Sequence, residues 1–317
     1  MKLFKQLVVC FAVMGCLVSL AFAGESSAVL GAENYYAGAL PPPGFHIVDY
    51  SMFYTADNAK NAAGDDATPP DFKVNVFANV IRPIYVSKAQ ILGANPAWHV
   101  IIPLIHQSVD ANGLSDSATG LGDIYVSPLI LGWHKDNFHW VAALDIICPT
   151  GEYDSKAMAN IGSNHWTYEP AFAVSYIQPK GFTASAKLMY DVHTKNQDTD
   201  YKTGDQFHMD YNLGYQLNDN WAVGIGGYFL KGLKNDSQDV APVIDDGGGD
   251  IPSTKGTSSA SATSVKVADS KQQVIAIGPS VKYSKGKLSL ILEPNFEFKA
   301  KNRPEGISTW FKAVYSF

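Results

Sequence analysis

The sequence predicts an all-β protein: a transmembrane up-and-down antiparallel β-barrel of about 12 strands, of the bacterial outer-membrane type. Three observations predict it. First, residues 182–230 hold three segments of period-two alternation. Phe182, Ala184, Ala186, Leu188, Tyr190 and Val192 alternate with Thr183, Ser185, Lys187, Met189, Asp191 and His193. Phe207, Met209, Tyr211, Leu213 and Tyr215 then alternate with His208, Asp210, Asn212, Gly214 and Gln216, and a third segment starts at Trp221. Successive side chains of a strand point to opposite faces, so each segment has an apolar and a polar face. Each is about 10–12 residues long, enough to cross a bilayer as a tilted strand. Second, no run after the leader reaches the roughly 18 apolar residues of a membrane helix. Third, Ile307, Thr309, Phe311, Ala313, Tyr315 and the terminal Phe317 share one face of the last segment.

The leader comes first in the chain. Lys2 and Lys5 precede the apolar run Leu7 to Leu20, and Ala21-Phe22-Ala23 offers a small-x-small cleavage site before Gly24. Residues 1–23 read as a cleavable signal peptide. Cleavage before Cys16 would instead give a lipoprotein; the downstream site is the cleaner one. Residues 24–317 are expected to form a single barrel domain. Within it, 24–43 make an extended, periplasmic or plug-like lead-in, small in residue size and ending in Pro41, Pro42 and Pro43.

Strand one is expected at 45–54, with His46, Val48, Tyr50, Met52 and Tyr54 facing out and Asp49 facing in. A loop at 55–71 is followed by strands at 72–86 and 97–107, the latter apolar on both faces. After a loop at 108–122 come strands at 123–134 and 137–147, joined by the tight Lys135-Asp136 turn. In the second of these, Phe138, Trp140, Ala142, Leu144 and Ile146 face out and Asp145 faces in. A loop at 148–164 leads to a strand at 165–177, with Thr167, Glu169 and Ser175 inside. The three segments already described follow. Residues 233–270, with Asp245 to Asp250 and a Ser/Thr/Ala tract, read as a long flexible extracellular loop. Strands at 271–284, 287–299 and 307–317 complete the set. The even count and the alternation of mostly long with tight connections suit a barrel with short periplasmic turns. Trp133, Trp140 and Trp221 fall at one end, as an interfacial girdle requires.

Composition narrows the function. Only Cys148 follows the leader, since Cys10 and Cys16 lie within it, so an intramolecular disulfide is excluded. The chain is acidic, with 24 basic against 30 acidic residues, which argues against a nucleic-acid surface. The eight histidines show no metal-binding spacing; no metal and no cofactor are expected. Asp245 to Asp250 lacks the regular spacing of a calcium loop. The expected lumen-facing set is Asp49, Asp145, Glu169, Lys187, Asp191, His208, Asp210, Glu293, Glu297 and Lys312. These groups either line a solute path or pair with one another to fill a narrow barrel. Ser185, Asp191 and His193 share a face of one strand, the residue types of a hydrolase, but no Gly-x-Ser-x-Gly elbow accompanies them.

A series of short motifs runs through the chain: Gly120-Leu121-Gly122-Asp123-Ile124, Pro149-Thr150-Gly151-Glu152-Tyr153, Asn160-Ile161-Gly162-Ser163-Asn164-His165-Trp166, Asp198 to Asp205, Gly226-Gly227-Tyr228, Ile277-Gly278-Pro279 and Asn302-Arg303-Pro304-Glu305-Gly306. Their order and spacing resemble the family named for a MetA pathway of phenol degradation. The resemblance implies an outer-membrane barrel for passive uptake of small hydrophobic, including aromatic, compounds. It brings no catalytic residues, and the 233–270 loop is long for it. The expected partners are therefore outer-membrane lipids and small hydrophobic or aromatic solutes. A terminal Phe after alternating apolar residues also resembles the signal read by outer-membrane assembly machinery, so Phe317 points to that partner. Two alternatives stand beside transport: a structural or surface-display barrel, and an outer-membrane hydrolase.

Overall fold

The computed structural model describes residues 28–240 and 263–317. The leader, with Cys10 and Cys16, and the acidic run Asp245 to Asp250 lie outside the described residues. Sixteen strands follow one another: β1 (Gly44–Lys60), β2 (Lys73–Val86), β3 (Asn95–Ala111), β4 (Leu114–Leu121), β5 (Ile124–Lys135), β6 (Phe138–Cys148), β7 (Thr167–Ile177), β8 (Gly181–His193), β9 (Tyr201–Lys202), β10 (Gln206–Gln216), β11 (Trp221–Gly232), β12 (Ser237–Val240), β13 (Thr263–Lys266), β14 (Gln273–Lys285), β15 (Leu288–Lys301) and β16 (Arg303–Ser316). Neighbours pair antiparallel from β2 through β1, β16, β15, β14, β11, β10, β8, β7, β6 and β5 to β3, and β3 pairs back onto β2. With β4 and β5 counted as one interrupted strand, the result is a closed 12-stranded barrel. Closure of the ring satisfies the backbone within the wall, as a membrane span requires; β4, beyond it, pairs with β3 on one side.

The outer surface is apolar. Phe53, Phe77, Ile81, Leu104, Leu129, Phe172, Leu213, Ile225, Ile277, Leu292 and Phe311 all point outward and are exposed. At the end carrying the short turns, aromatic pairs ring the barrel: Tyr85–Trp98, Trp133–Trp140, Phe138–Tyr176, Phe182–Tyr215, Trp221–Tyr283 and Phe45–Phe317. Such a belt marks a membrane–water interface, and short turns mark the periplasmic side.

Several expected boundaries move. β1 runs on to Lys60 and β3 to Ala111, so parts of both adjoining loops are strand. The expected loop 108–122 is a hairpin that extends β3 and turns tightly at Asn112-Gly113 into β4. The expected loop 233–270 is structured at both described flanks: β12 pairs with β13 and with β9 in a small separate sheet. Asp236 anchors that sheet by accepting from the Tyr201 hydroxyl and the Gly204 amide. Burial pushes its carboxyl pKa up, against the pull of these donors.

The face assignment of the first strand is corrected. His46, Val48 and Tyr50 are buried inside the barrel, while Phe45 and Phe53 are exposed outside. Asp49 alternates with Tyr50 and therefore faces outward, where its carboxylate accepts from Asn79 Nδ2 at 3.2 and 3.3 Å. The physical reason is that the lumen beside β1 and β2 is apolar: Val48, Ala78, Val80 and Ile84 pack there in one cluster with Trp310. Polarity does not distinguish inside from outside on a wall whose inner face is also apolar.

Candidate functional site

Residues 28–43 run inside the barrel ahead of β1. Their amides are held by side chains on distant strands. Asp210 accepts from the amides of Gly31 (2.8 Å) and Glu33 (2.9 Å), Ser185 Oγ accepts from Tyr36 (3.1 Å), and Ser175 Oγ accepts from Gly38 (2.9 Å). Trp310 Nε1 donates to the Leu30 carbonyl at 3.0 Å, and the Tyr36 hydroxyl donates to Gln216 Oε1 at 2.8 Å. No local pattern predicts this. The segment carries backbone donors, and the inward polar residues of β7, β8 and β10 supply the acceptors that buried amides need.

This segment and a band of charge divide the lumen into two chambers. The extracellular chamber has a volume of about 330 Å³, and Met52, Val76, Ile101, Ile105, Met189 and Trp310 are among its apolar walls. The periplasmic chamber, about 210 Å³, is lined by Leu40, Ile84, Ile130, Val141, Ala143 and Ile291 among others. Glu33, Tyr50, Arg82, Asp145 and Lys187 border both. They form the waist.

The chemistry of the waist follows from its contacts. Glu33 takes the Arg82 guanidinium and the Tyr50 hydroxyl, and it lies 3.8 Å from Lys312 Nζ. Arg82 also donates Nε–H to His99 Nδ1 at 3.1 Å. With Nδ1 accepting, the imidazole carries its proton on Nε2, which lies 3.1 Å from Asp145 Oδ1. Ser127 donates to the same carboxylate. Lys187 Nζ bridges Asp145 Oδ2 (3.7 Å) and Glu169 Oε1 (3.6 Å). Carboxylates from both the wall and the inner segment are thus matched by cations drawn from the wall. Burying such charges is tolerable only when they are paired in this way.

The remaining residues of the expected set are distributed as follows. Asp191 and His208 lie beside Glu169. Glu297 accepts from the hydroxyls of Tyr54 (2.9 Å) and Tyr228 (2.8 Å) and meets Arg303 Nη2 at 3.4 Å. Glu293 is buried, and Lys312 has its Nζ 5.4 Å from the centre of the Tyr50 ring. Asp49 alone of the set is on the outer face. Glu33, Arg82, His99, Tyr50 and Arg303 belong to these networks and were not in the expected set. For Arg82 the available signal is its position on one face with Val80 and Ile84; an arginine there needs an internal counter-charge. Ser185 and His193 do not meet. Ser185 serves Tyr36 and Ser175, whereas His193 Nδ1 is 2.9 Å from Thr167 Oγ1. Eight residues of strand separate them by about 26 Å at roughly 3.3 Å per residue, so they form no nucleophile–base pair.

The sequence motifs converge at the extracellular mouth. Asp123, in the break between β4 and β5, accepts from the amides of Gly151 and Ser163, both at 2.9 Å. Gly151 and Gly162 touch: a Cβ on Gly162 would sit 2.4 Å from the Gly151 carbonyl oxygen. Three of the motifs, all within residues 120–166, therefore build one cover, and Asp123, Asn160, Ile161, Gly162 and Ser163 line the chamber beneath it.

Residues 56–313 match the family described as "Putative MetA-pathway of phenol degradation". The chain belongs to that family. Among solved structures it is similar to a COG4313 outer membrane channel from Pseudomonas putida F1, with 16% identity and a TM-score of 0.72 over 92% of this chain and 100% of that one. A TodX monoaromatic hydrocarbon channel mutant matches with 9% identity and a TM-score of 0.46, over 90% and 93%. The transport unit of the autotransporter AIDA-I from Escherichia coli matches with 8% identity and a TM-score of 0.48, over 96% and 98%. No curated protein matches.

Proposed function

We propose that this protein is an outer-membrane channel for passive uptake of small hydrophobic, including aromatic, compounds, and is not an enzyme. The observation that carries the reading is the extracellular chamber: about 330 Å³, with walls of Met, Val, Ile and Trp above a charged floor. Ligand pockets run from about 300 Å³ upward and are mostly apolar with a few placed polar groups. An apolar cavity of roughly 150 Å³ is enough for benzene. A monoaromatic solute fits this chamber, whereas a sugar would leave its hydroxyls without partners along the apolar walls. Arg82 and Lys187, with several N–H groups each, offer hydrogen bonds to a phenolic or carboxylic end at the floor. The outer surface, its aromatic belt and the family support residence among outer-membrane lipids after export by the leader. Phe317, packed on Phe45 and Tyr315, is the feature of the last strand that assembly machinery would read.

The test is to fill the chamber. Ala78 is buried on its wall. Ala78→Phe, verified as folded by its heat-modifiable gel mobility, lowers toluene flux into proteoliposomes if solutes pass through this chamber. Unchanged flux would remove the chamber from the path.

A further inference from the structure

On three adjacent strands, at one level of the inner wall, Glu169 (β7), Asp191 (β8) and His208 (β10) face one another. The pairings Tyr168–Val192 and Ala171–Met189 place Glu169 directly opposite Asp191, and Gln206–Asp191 and His208–Met189 place His208 one pair further along the same face. All three are buried: 3%, 0% and 0% exposed. Like charges directly opposed across a ladder repel, and burial magnifies the repulsion.

The neighbouring cations only partly answer this. Lys187 reaches Glu169 through Oε1 and is shared with Asp145. Among the described residues Asp191 has one ion-pair partner, His208. His208 Nε2 lies 3.4 Å from Glu169 Oε2 and 3.2 Å from Asp191 Oδ2. One N–H cannot point at both carboxylates, and both distances exceed the roughly 2.7–2.9 Å of a charge-assisted hydrogen bond. Asp191 Oδ2, fully enclosed, makes no hydrogen bond.

The same distances have another meaning. Zinc binds nitrogen and carboxylate oxygen at about 2.0–2.2 Å in a tetrahedron, so two of its ligand atoms stand about 3.3–3.5 Å apart. Nε2 is within about 0.1 Å of that spacing from both oxygens, and all three ligand atoms lie within 4.8 Å of one another. We propose that Glu169, Asp191 and His208 form a binding site for one divalent transition-metal ion of the zinc class. An imidazole beside two carboxylates favours zinc and its neighbours over calcium or magnesium, which take oxygen ligands. The ion would offset the opposed carboxylates and tie β7, β8 and β10 together beside the extracellular chamber. The site is independent of what the channel carries.

The experiment uses the full mature barrel in detergent, without a histidine tag and stripped with chelator. Zn²⁺ is titrated against a chromophoric competitor. The expected result is saturation at one zinc per barrel, with affinity falling at least about 10-fold in His208→Gln and in Asp191→Asn and unchanged in His106→Ala, whose ring is exposed on the outer wall. Calcium should not compete. Copper(II) bound to the wild type should show coupling to a single imidazole nitrogen by electron paramagnetic resonance, a readout that stands even if a variant fails to fold. Absence of saturable zinc binding, retention of affinity in folded His208→Gln, or a copper signal without nitrogen coupling would overturn the assignment.

Discussion

Replacing Glu33 by Gln tests how the waist is closed. The substitution keeps the shape of the side chain and removes its charge. In the wild type that carboxylate takes Arg82 and the Tyr50 hydroxyl and faces Lys312 at 3.8 Å. A hydrogen bond to a charged group contributes about 1.5–3 kcal/mol, and breaking a fully buried pair costs about 3–5 kcal/mol. The Glu33 side chain keeps 20% of its exposure, so the lower end applies, about 2 kcal/mol. The amide bonds from Gly31 and Glu33 to Asp210 survive, and the inner segment stays in the barrel. At about 1.4 kcal/mol per factor of ten, the population with an open waist rises about 30-fold. Arg82 and Lys312 then lose the carboxylate they share, so the path should also shift toward anions. Single-channel recording in planar bilayers reads both effects: more frequent small-ion openings and a reversal potential shifted toward chloride. A folded Glu33→Gln barrel with wild-type opening frequency and selectivity would refute the reasoning.

Three further outcomes follow from the same structure. Asp49→Leu should fold with equal or greater stability toward denaturant in lipid, because a carboxylate on the lipid face is a cost; marked destabilisation would place Asp49 back inside. Gly278→Val should abolish assembly, read as loss of heat-modifiable mobility, because a Cβ there would sit 1.7 Å from the Pro294 carbonyl oxygen. Asp123→Ala should free the amides of Gly151 and Ser163, at about 1.5–3 kcal/mol each, and limited proteolysis should then cut within 149–166 while the barrel core resists.

How much was legible in the sequence depended on how the two faces of each strand contrast. On β7, β8 and β10 the inner face carries Glu169, Lys187, Asp191, His208 and Asp210 against an outer face of Phe, Leu and Tyr, so the two faces contrast plainly in the sequence. On β1 and β2 the inner face borders the apolar chamber, so Val48, Tyr50, Ala78 and Val80 look no different from lipid-facing residues. Asp49 then stands out as the polar member, and its polarity alone points it inward. β3 is apolar on both faces for the same reason. Residues 24–43 read as a periplasmic or plug-like lead-in, but the path of 28–43 is not legible, because backbone amides hold much of it to side chains more than a hundred residues away, as at Gly31 with Asp210 and Gly38 with Ser175. The motif around Asp123 was visible as a pattern, but its purpose depended on three segments meeting at the mouth.

Solute flux into proteoliposomes carrying the mature protein tests the central claim most directly. Toluene or phenol is compared with a sugar of similar size, against protein-free vesicles. A selective apolar path predicts faster entry of the aromatic compound and no entry of the sugar. Equal entry of both would mean an open aqueous pore and would contradict it, as would entry of neither.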